Sequence, residues 1–282
     1  MIIGVNAHQA HADVLRLAAS LGIWGVRADG NLGDLFPSPD QQSFGWLEAM
    51  LSTSKGLGLN VYVTLAYAPP WLGPRNTPPP EAEWIRLVKA FGEHFKGMVQ
   101  YIGSWNEPNI QGMYAGSLEQ YLNELLQPAA DTLRRIDPQF QICGPDLSTE
   151  GPWRPWFRTL LERGRQWLDV VTVHAYGTPG RAVRDRLIDV RQVMRQAGAI
   201  TRPLALTEFG WNTARISEEL QANYYDQFFE AMQSNNWLIA ALGFNLINES
   251  TQVQWGLFRD NGTPKPAAEV VRRYAAMAGP NV

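Results

Sequence analysis

Short apolar runs alternate with amphipathic stretches along the whole chain. The runs Ile2–Asn6, Gly25–Ala28, Asn60–Leu65, Val99–Trp105, Gln141–Gly144, Val170–His174, Pro203–Thr207 and Ile239–Asn245 have the length and composition of buried strands. Each is followed by a stretch with apolar residues at i, i+3 and i+4, which predicts helices over Ala10–Leu21, Gln42–Lys55, Glu81–Phe95, Leu118–Ile136, Arg154–Arg163, Ala182–Ala197, Glu218–Asn235 and Pro266–Ala276. In the third of these, Trp84, Leu87, Val88 and Phe91 fall on one face. Ser217 ahead of Glu218 and Glu219 supplies an N-cap and acids that suit the helix dipole, while Gly56 and Gly198 are expected to end helices. A strand-then-helix unit repeated eight times in 282 residues has the count and size of a TIM barrel. The expected fold is therefore α/β, a single (β/α)8 barrel occupying residues 1–282 as one domain. An open doubly wound sheet is the rival. The turn after the first strand, Ala7-His8-Gln9-Ala10, lacks its glycine-rich phosphate loop, and no Walker sequence occurs. No composition shift marks a second domain, and Pro78-Pro79-Pro80 reads as a stiff loop.

Composition narrows the function. A chain that is 45% hydrophobic has ample material for a large core. The net charge is only −3, and no basic run or stripe is present to neutralise phosphates, so nucleic acid is not an expected partner. No uncharged apolar stretch of about 18 residues occurs, so no membrane-spanning helix is expected. Met1–Asn6 reads as a strand rather than as the start of a signal peptide. This fits either a cytoplasmic chain or a secreted one whose leader has been removed. The single cysteine, Cys143, excludes an internal disulfide and is expected as a small buried hydrophobe.

In a barrel of this kind the chemistry collects at the C-terminal ends of the strands. Those ends carry, in order, Asn6-Ala7-His8, Arg27-Ala28-Asp29, Tyr67, Asn106-Glu107, Pro145-Asp146, His174-Ala175-Tyr176, Glu208 and Asn245. Polar groups that are costly to bury are thus concentrated at one end. Two glutamates, Glu107 and Glu208, can face one cleft, one donating a proton while the other attacks, which is the equipment for breaking a glycosidic bond. Asp146 reads as either a sugar contact or a loop cap. His8 and His11 have H-x-x-H spacing but no glutamate or further ligands nearby, so no metal site is expected. Eleven tryptophans are present, and those in Pro/Gly-rich loops, Trp71, Trp211 and Trp255 among them, can stack on the C–H face of a sugar or plug the barrel.

The strings Trp105-Asn106-Glu107-Pro108-Asn109 and Trp255-Gly256-Leu257-Phe258, followed by Gly262-Thr263-Pro264-Lys265-Pro266-Ala267, resemble clan A glycoside hydrolases and family 39 most closely, with family 5 next. Glu208 after the seventh strand, Arg27 in the second and His174-Ala175-Tyr176 in the sixth extend the resemblance over the whole chain in element order. It implies a retaining hydrolysis of an oligo- or polysaccharide through a covalent glycosyl-enzyme, with no cofactor or metal. Glu208 is implied as nucleophile and Glu107 as acid/base. Asn106 is implied to bond the sugar 2-hydroxyl, Tyr176 to donate to the nucleophile and His174 to lie near the acid/base, with His8 as a further sugar contact. The expected electrostatics have Arg27 holding Glu208 ionised and the Glu208 charge raising the pKa of Glu107.

One departure from the family concerns the strand-eight tryptophan, where this chain reads Gly243-Phe244-Asn245; either Phe244 or Trp255 can replace that platform. A second is the lack of room for the accessory β-domains of family 39 xylosidases, which favours likeness to the family's endo-acting polysaccharide hydrolases. The alternatives are a family 5-like endo-β-glucanase or mannanase, and a non-catalytic carbohydrate-binding barrel.

Overall fold

A computed structural model describes residues 1–8 and 10–278. The predicted units close into a parallel barrel whose strands neighbour one another in chain order: β1 (Ile2–Asn6), β2 (Gly25–Asn31), β3 (Asn60–Ala66), β4 (Tyr101–Ser104), β5 (Gln141–Ser148), β6 (Val170–His174), β7 (Leu204–Phe209) and β8 (Leu238–Gly243). Pairing of Ile2 with Ala240 and Val5 with Gly243 shuts the ring. Gln9, in the turn read above as lacking a phosphate loop, lies outside the described residues, as do residues 279–282. No helix among the described residues is long and apolar enough to cross a membrane.

The helices that wrap the barrel are α1 (Ala12–Ser20), α2 (Leu32–Leu35), α3 (Gly45–Gly56), α4 (Glu81–Phe95), α5 (Leu118–Gln120), α6 (Gln127–Ile136), α7 (Trp153–Gly164), α8 (Arg181–Gln196), α9 (Glu218–Met232) and α10 (Pro266–Ala278). The stripe expected on α4 is buried as Trp84, Leu87, Val88 and Phe91. Ser217 caps α9 by accepting from the Leu220 N–H at 3.2 Å. Gly198 takes the left-handed conformation after α8, whereas after α3 that role falls to Gly58, two residues beyond the expected Gly56. The single helix predicted over 118–136 is interrupted by a wide π turn at Tyr121–Leu126. Pro128 lies two residues beyond it, and its missing N–H is accommodated by loosening the turn ahead of it. The four residues of α2 are too few to show a period, so the sequence pattern did not signal that helix.

Alternation along the strands separates two cores. Ile3, Val5, Val26, Val61, Val63, Leu65, Val171, Val173, Leu204 and Leu206 face the helices and join the large outer core. Tyr62, Cys143, Val170, Ala205, Ala240 and Leu242 form a separate cluster inside the barrel, with Ile2 and Tyr101 packed against it. This cluster fills the N-terminal end. Above it the interior turns polar, with Asn6, Arg27, Thr64, Asp146, Thr172, His174 and Thr207 all buried. Gly103 on β4 makes room for the Tyr62 ring, since a Cβ there would lie 2.3 Å from the Tyr62 hydroxyl. Strands β2 and β5 run past their predicted ends because their upper residues include Asp29 at the barrel mouth and Asp146 buried beneath it, polar groups at which hydrophobicity no longer marks a strand.

Candidate active site

The C-terminal mouth of the barrel holds a cavity of about 210 Å³ lined by His8, Arg27, Asp29, Tyr67, Arg75, Asn106, Glu107, Glu208 and Phe244, among others. A larger cavity of about 720 Å³ lies at the opposite end, bordered by Lys55, Met98, Asp137 and Gln139. That one contains no pair of facing carboxylates; its Lys55 sits in the last turn of α3 and its Asp137 at the end of α6. The facing carboxylates, Glu107 and Glu208, line the smaller space.

Backbone conformation at the mouth is unusual. Five non-glycine residues with positive φ sit just past strand ends or in β5: His8 (46°), Tyr67 (67°), Trp105 (73°), Glu107 (46°) and Asp146 (51°). Such conformations cost on the order of 1–3 kcal/mol each and persist only where the surroundings dictate them. Here they turn Glu107 off the end of β4 and over the barrel axis. The Glu107 N–H is fixed by the Asp146 carbonyl at 3.1 Å.

Arg27 is the pivot of the site. Its side chain is buried, and all five guanidinium N–H groups are used. Nε donates to Thr64 Oγ1 at 3.0 Å, Nη1 to Asn6 Oδ1 at 2.9 Å and Glu208 Oε1 at 2.7 Å, and Nη2 to Asn106 Oδ1 at 2.6 Å and Asp146 Oδ2 at 2.9 Å. The other Glu208 oxygen accepts from the Tyr176 hydroxyl at 2.8 Å. Asn106 passes its Nδ2 on to the Tyr67 hydroxyl at 3.1 Å. A plain strand-end polar residue has one or two partners; this arginine ties together β1, β2, β3, β5, β7 and the residues that follow β4.

Glu107 and Glu208, far apart in sequence, approach here. Their carboxylates and the His174 ring offer atoms that all lie within 4.8 Å of one another. His174 Nδ1 is 2.9 Å from Glu107 Oε1 and 3.4 Å from Glu208 Oε2. Among the described residues these three are the group spaced closely enough to share a cation. The Arg27 guanidinium already on Glu208 and the imidazole between the acids make it a proton-sharing cluster instead. His11 is exposed and takes no part.

The electrostatics depart from the sequence expectation for Glu107. Burial pushes its carboxyl up, but the hydrogen bond and charge of His174 outweigh that and hold it below the ordinary carboxylate range. His174 is raised: burial disfavours its charge, and the charge of Glu208 together with the hydrogen bond to Glu107 overcomes burial. Both shifts favour the imidazole over the Glu107 carboxyl as the place for the proton. The sequence expectation counted the like charge of Glu208 and left out the cation standing between the two acids. Tyr176 is pushed well up by burial and by the Glu208 charge, and stays a donor.

The remaining expected residues divide. His8 lines the cavity, with Nδ1 2.8 Å from Asp29 Oδ2 and Nε2 2.9 Å from Glu249 Oε1. Burial opposes its charge, yet the two carboxylates raise its pKa to about 10. Phe244 lines the cavity, and Trp255 lies behind it, edge-on to Phe244 at 6.0 Å and to Tyr176 at 5.4 Å. Two tryptophans do not belong to the mouth. Trp211 is 3% exposed, donates to the Gly177 carbonyl and packs on Phe209, Tyr224 and Tyr225. Trp71 donates to the Phe36 carbonyl at 2.8 Å and leans on the outer core. A loop rich in proline and glycine signals a turn, not the side to which its indole points, so the sequence pattern misassigned both.

Three residues escaped assignment. Asp146 is neither a sugar contact nor a cap; it is completely buried beneath Arg27. Arg75 stacks on the Tyr67 ring at 3.7 Å on the cavity rim. Lys265 is 2% exposed and donates to Thr213 Oγ1, Asn248 Oδ1 and the Gln254 carbonyl at 2.9, 2.9 and 3.0 Å, tying together the loops that carry Trp255. Burial, with the Arg259 charge adding to it, outweighs the charge of Glu218 and lowers its pKa to about 8. Its place in the Gly262–Ala267 string was the one sequence signal for it.

With this geometry established, the resemblance read from the strand-end strings is borne out by known proteins. Residues 77–201 match the model of glycosyl hydrolases family 39. A β-xylosidase of Geobacillus stearothermophilus is 20% identical over 239 residues, covering 71% of this chain and 46% of that protein. Among solved structures, a family 39 glycoside hydrolase from the gut symbiont Bacteroides cellulosilyticus WH2 superposes with a TM-score of 0.81 at 18% identity, covering 98% of this chain and 63% of that one. A monomeric β-xylosidase from Caulobacter crescentus CB15 gives 0.77 at 16% identity, with 98% and 68% covered. The chain thus spans about half the length of the curated relative and about two thirds of these solved chains. At such identities the structural likeness establishes the (β/α)8 fold.

Proposed function

We propose that this chain is a retaining glycosidase, with Glu208 as nucleophile and Glu107 as acid/base, acting on an oligo- or polysaccharide. The observation that carries the reading is the approach of the two carboxylates at the barrel mouth, within 4.8 Å between ligating atoms. Retaining enzymes hold their two carboxyl groups about 5–5.5 Å apart, whereas inverting enzymes leave about 6.5–9.5 Å for a water. The family 39 match and the β-xylosidase relative support the same chemistry.

In this reading Arg27 and Tyr176 aim the Glu208 carboxylate at the anomeric carbon. Glu107 and His174 share one proton, which reaches the leaving oxygen through Glu107. Formation of the glycosyl ester removes the Glu208 charge, and Glu107 then takes a proton from the incoming water. Asn106, whose oxygen is held by Arg27, is left to meet the sugar 2-hydroxyl with its amide edge. His8, Phe244 and Trp255 form the sugar wall, with Phe244 replacing the strand-eight tryptophan. Neither a metal nor a cofactor enters this scheme.

The test is a pair of variants assayed on aryl glycosides and on polysaccharides. Glu208→Ala is expected to lose about 10⁴-fold or more of kcat on every substrate. Glu107→Ala is expected to lose about 10²–10⁴-fold on natural glycosides and much less on aryl glycosides with good leaving groups, which need little protonation. Equal losses on both substrate types would remove Glu107 from the acid role, and an active Glu208→Ala would end the reading.

A further inference from the structure

We propose that Asp146 is a positioning residue of this site: its carboxylate, sealed in the barrel interior under the two glutamates, holds Arg27 against Glu208 and sets a negative charge behind the His174 ring that meets Glu107. The inference rests on the reading of those glutamates as the catalytic pair. Asp146 Oδ2 accepts from Arg27 Nη2 at 2.9 Å, the Tyr62 hydroxyl at 2.8 Å and Thr64 Oγ1 at 3.1 Å. Oδ1 accepts from Thr207 Oγ1 at 2.6 Å, one residue before Glu208. The Asp146 N–H donates to Thr172 Oγ1 at 2.8 Å, and its carbonyl receives the Glu107 N–H. One residue therefore fixes the backbone of Glu107 and the guanidinium that orients Glu208.

Its second action is on His174. That ring is fully buried, with Nδ1 on Glu107 and Nε2 facing Asp146 Oδ1 at 3.9 Å. Nε2 makes no hydrogen bond, so Asp146 acts on it across that distance as a charge and not as an acceptor. A buried imidazole flanked by a carboxylate at each nitrogen is held in the form that carries both protons. Without Asp146 the ring would lose the negative charge facing Nε2 and would give up a proton at lower pH.

The groups that face Asp146 leave few ways to answer its charge. Tyr62 and Cys143 are pushed up by burial and by Asp146, and Tyr121 is raised chiefly by burial with a lesser share from Asp146, so all three stay neutral. Arg27 and His174 supply the positive charge, with Glu107 and Glu208 competing for both. Burial alone would raise Asp146, but Arg27, His174 and the Thr207 hydroxyl bring it down to about 2, so the carboxylate is ionised at neutral pH.

The experiment follows His174 by NMR of ¹⁵N-histidine-labelled protein, with His8, His11 and His94 as internal references, in the wild type and in Asp146→Asn. The pKa of His174 is expected to fall by about one unit or more in the variant. The alkaline limb of kcat is expected to move to lower pH with it, with kcat down about tenfold or more and KM within about threefold. An unchanged His174 titration overturns the proposal. The NMR arm needs no substrate, so it stands or falls separately from the glycosidase reading, which fails only if the wild type turns over no glycoside. Should Asp146→Asn not fold, Tyr62→Phe decides the matter. It keeps the volume and the carboxylate and removes one of its donors, so the titration of His174 is expected to move up; a fall or no movement overturns the proposal.

Discussion

The two ends of one barrel make opposite use of the same strands. At the N-terminal end, Tyr62, Cys143, Val170, Ala205, Ala240 and Leu242 fill the interior with apolar surface and a single hydroxyl. At the C-terminal end the same strands present Arg27, Asp146, His174 and Glu208, with Glu107 just beyond β4. Strand β5 spans the change within three residues, from Cys143 to Asp146. The lower end gains stability from area removed from water. The upper end buries charges whose desolvation is offset only by mutual pairing, which stabilises little in net but fixes geometry. Positive-φ residues also collect at the upper end. The fold is thus stabilised from below and strained, charged and ready for chemistry above.

Three perturbations would break or sharpen that contrast. The largest effect is expected from Arg27→Met, which leaves Asp146 a buried, uncompensated charge. It should cost about 3–5 kcal/mol in denaturant unfolding and abolish turnover together. A stable, active variant would mean that the upper end does not depend on its pivot. Next, Leu242→Ala at the lower end should cost about 2 kcal/mol, at the low side of such truncations because the barrel floor is already open to a small cavity. Its kcat should match the wild type; a fall in kcat would show the two ends coupled. The smallest effect concerns pH. His8 has a folded-state pKa raised to about 10 against an ordinary value of 6.5. Its charge therefore stabilises the fold in full below about pH 6.5, and that share is lost as pH rises through about 10. The melting temperature should decline over that window, less steeply in His8→Gln. An identical decline in both would disconnect the Asp29–His8–Glu249 bridge from stability.

The same contrast explains what could be read in advance. The outer halves of the strands and the apolar faces of the helices announce themselves by periodicity, so the eight units, their order and the closed barrel were legible. Glu107, Glu208, Arg27, His174 and Tyr176 were legible as residues because charged or polar groups at the ends of apolar runs have few other reasons to be there. Their electrostatics were not. The lowered carboxyl of Glu107 depends on His174 standing between two acids at 2.9 and 3.4 Å, a separation that no spacing along the chain encodes. Trp71 and Trp211 were misassigned for the same reason: a local turn signal says nothing of whether an indole faces the mouth or the core.

By itself the sequence determined what is periodic and local: which segments are strands, which faces are apolar and which residue types stand at strand ends. Tertiary structure alone decided which of those ends meet. Closing the ring brings β1, β2, β4, β5 and β7 around one axis, so that a single guanidinium spans Asn6, Asn106, Asp146 and Glu208. Proton location and charge follow from those through-space distances, because Coulomb and hydrogen-bond energies depend on separation in space and on exclusion of water, and neither is a property of position along a chain.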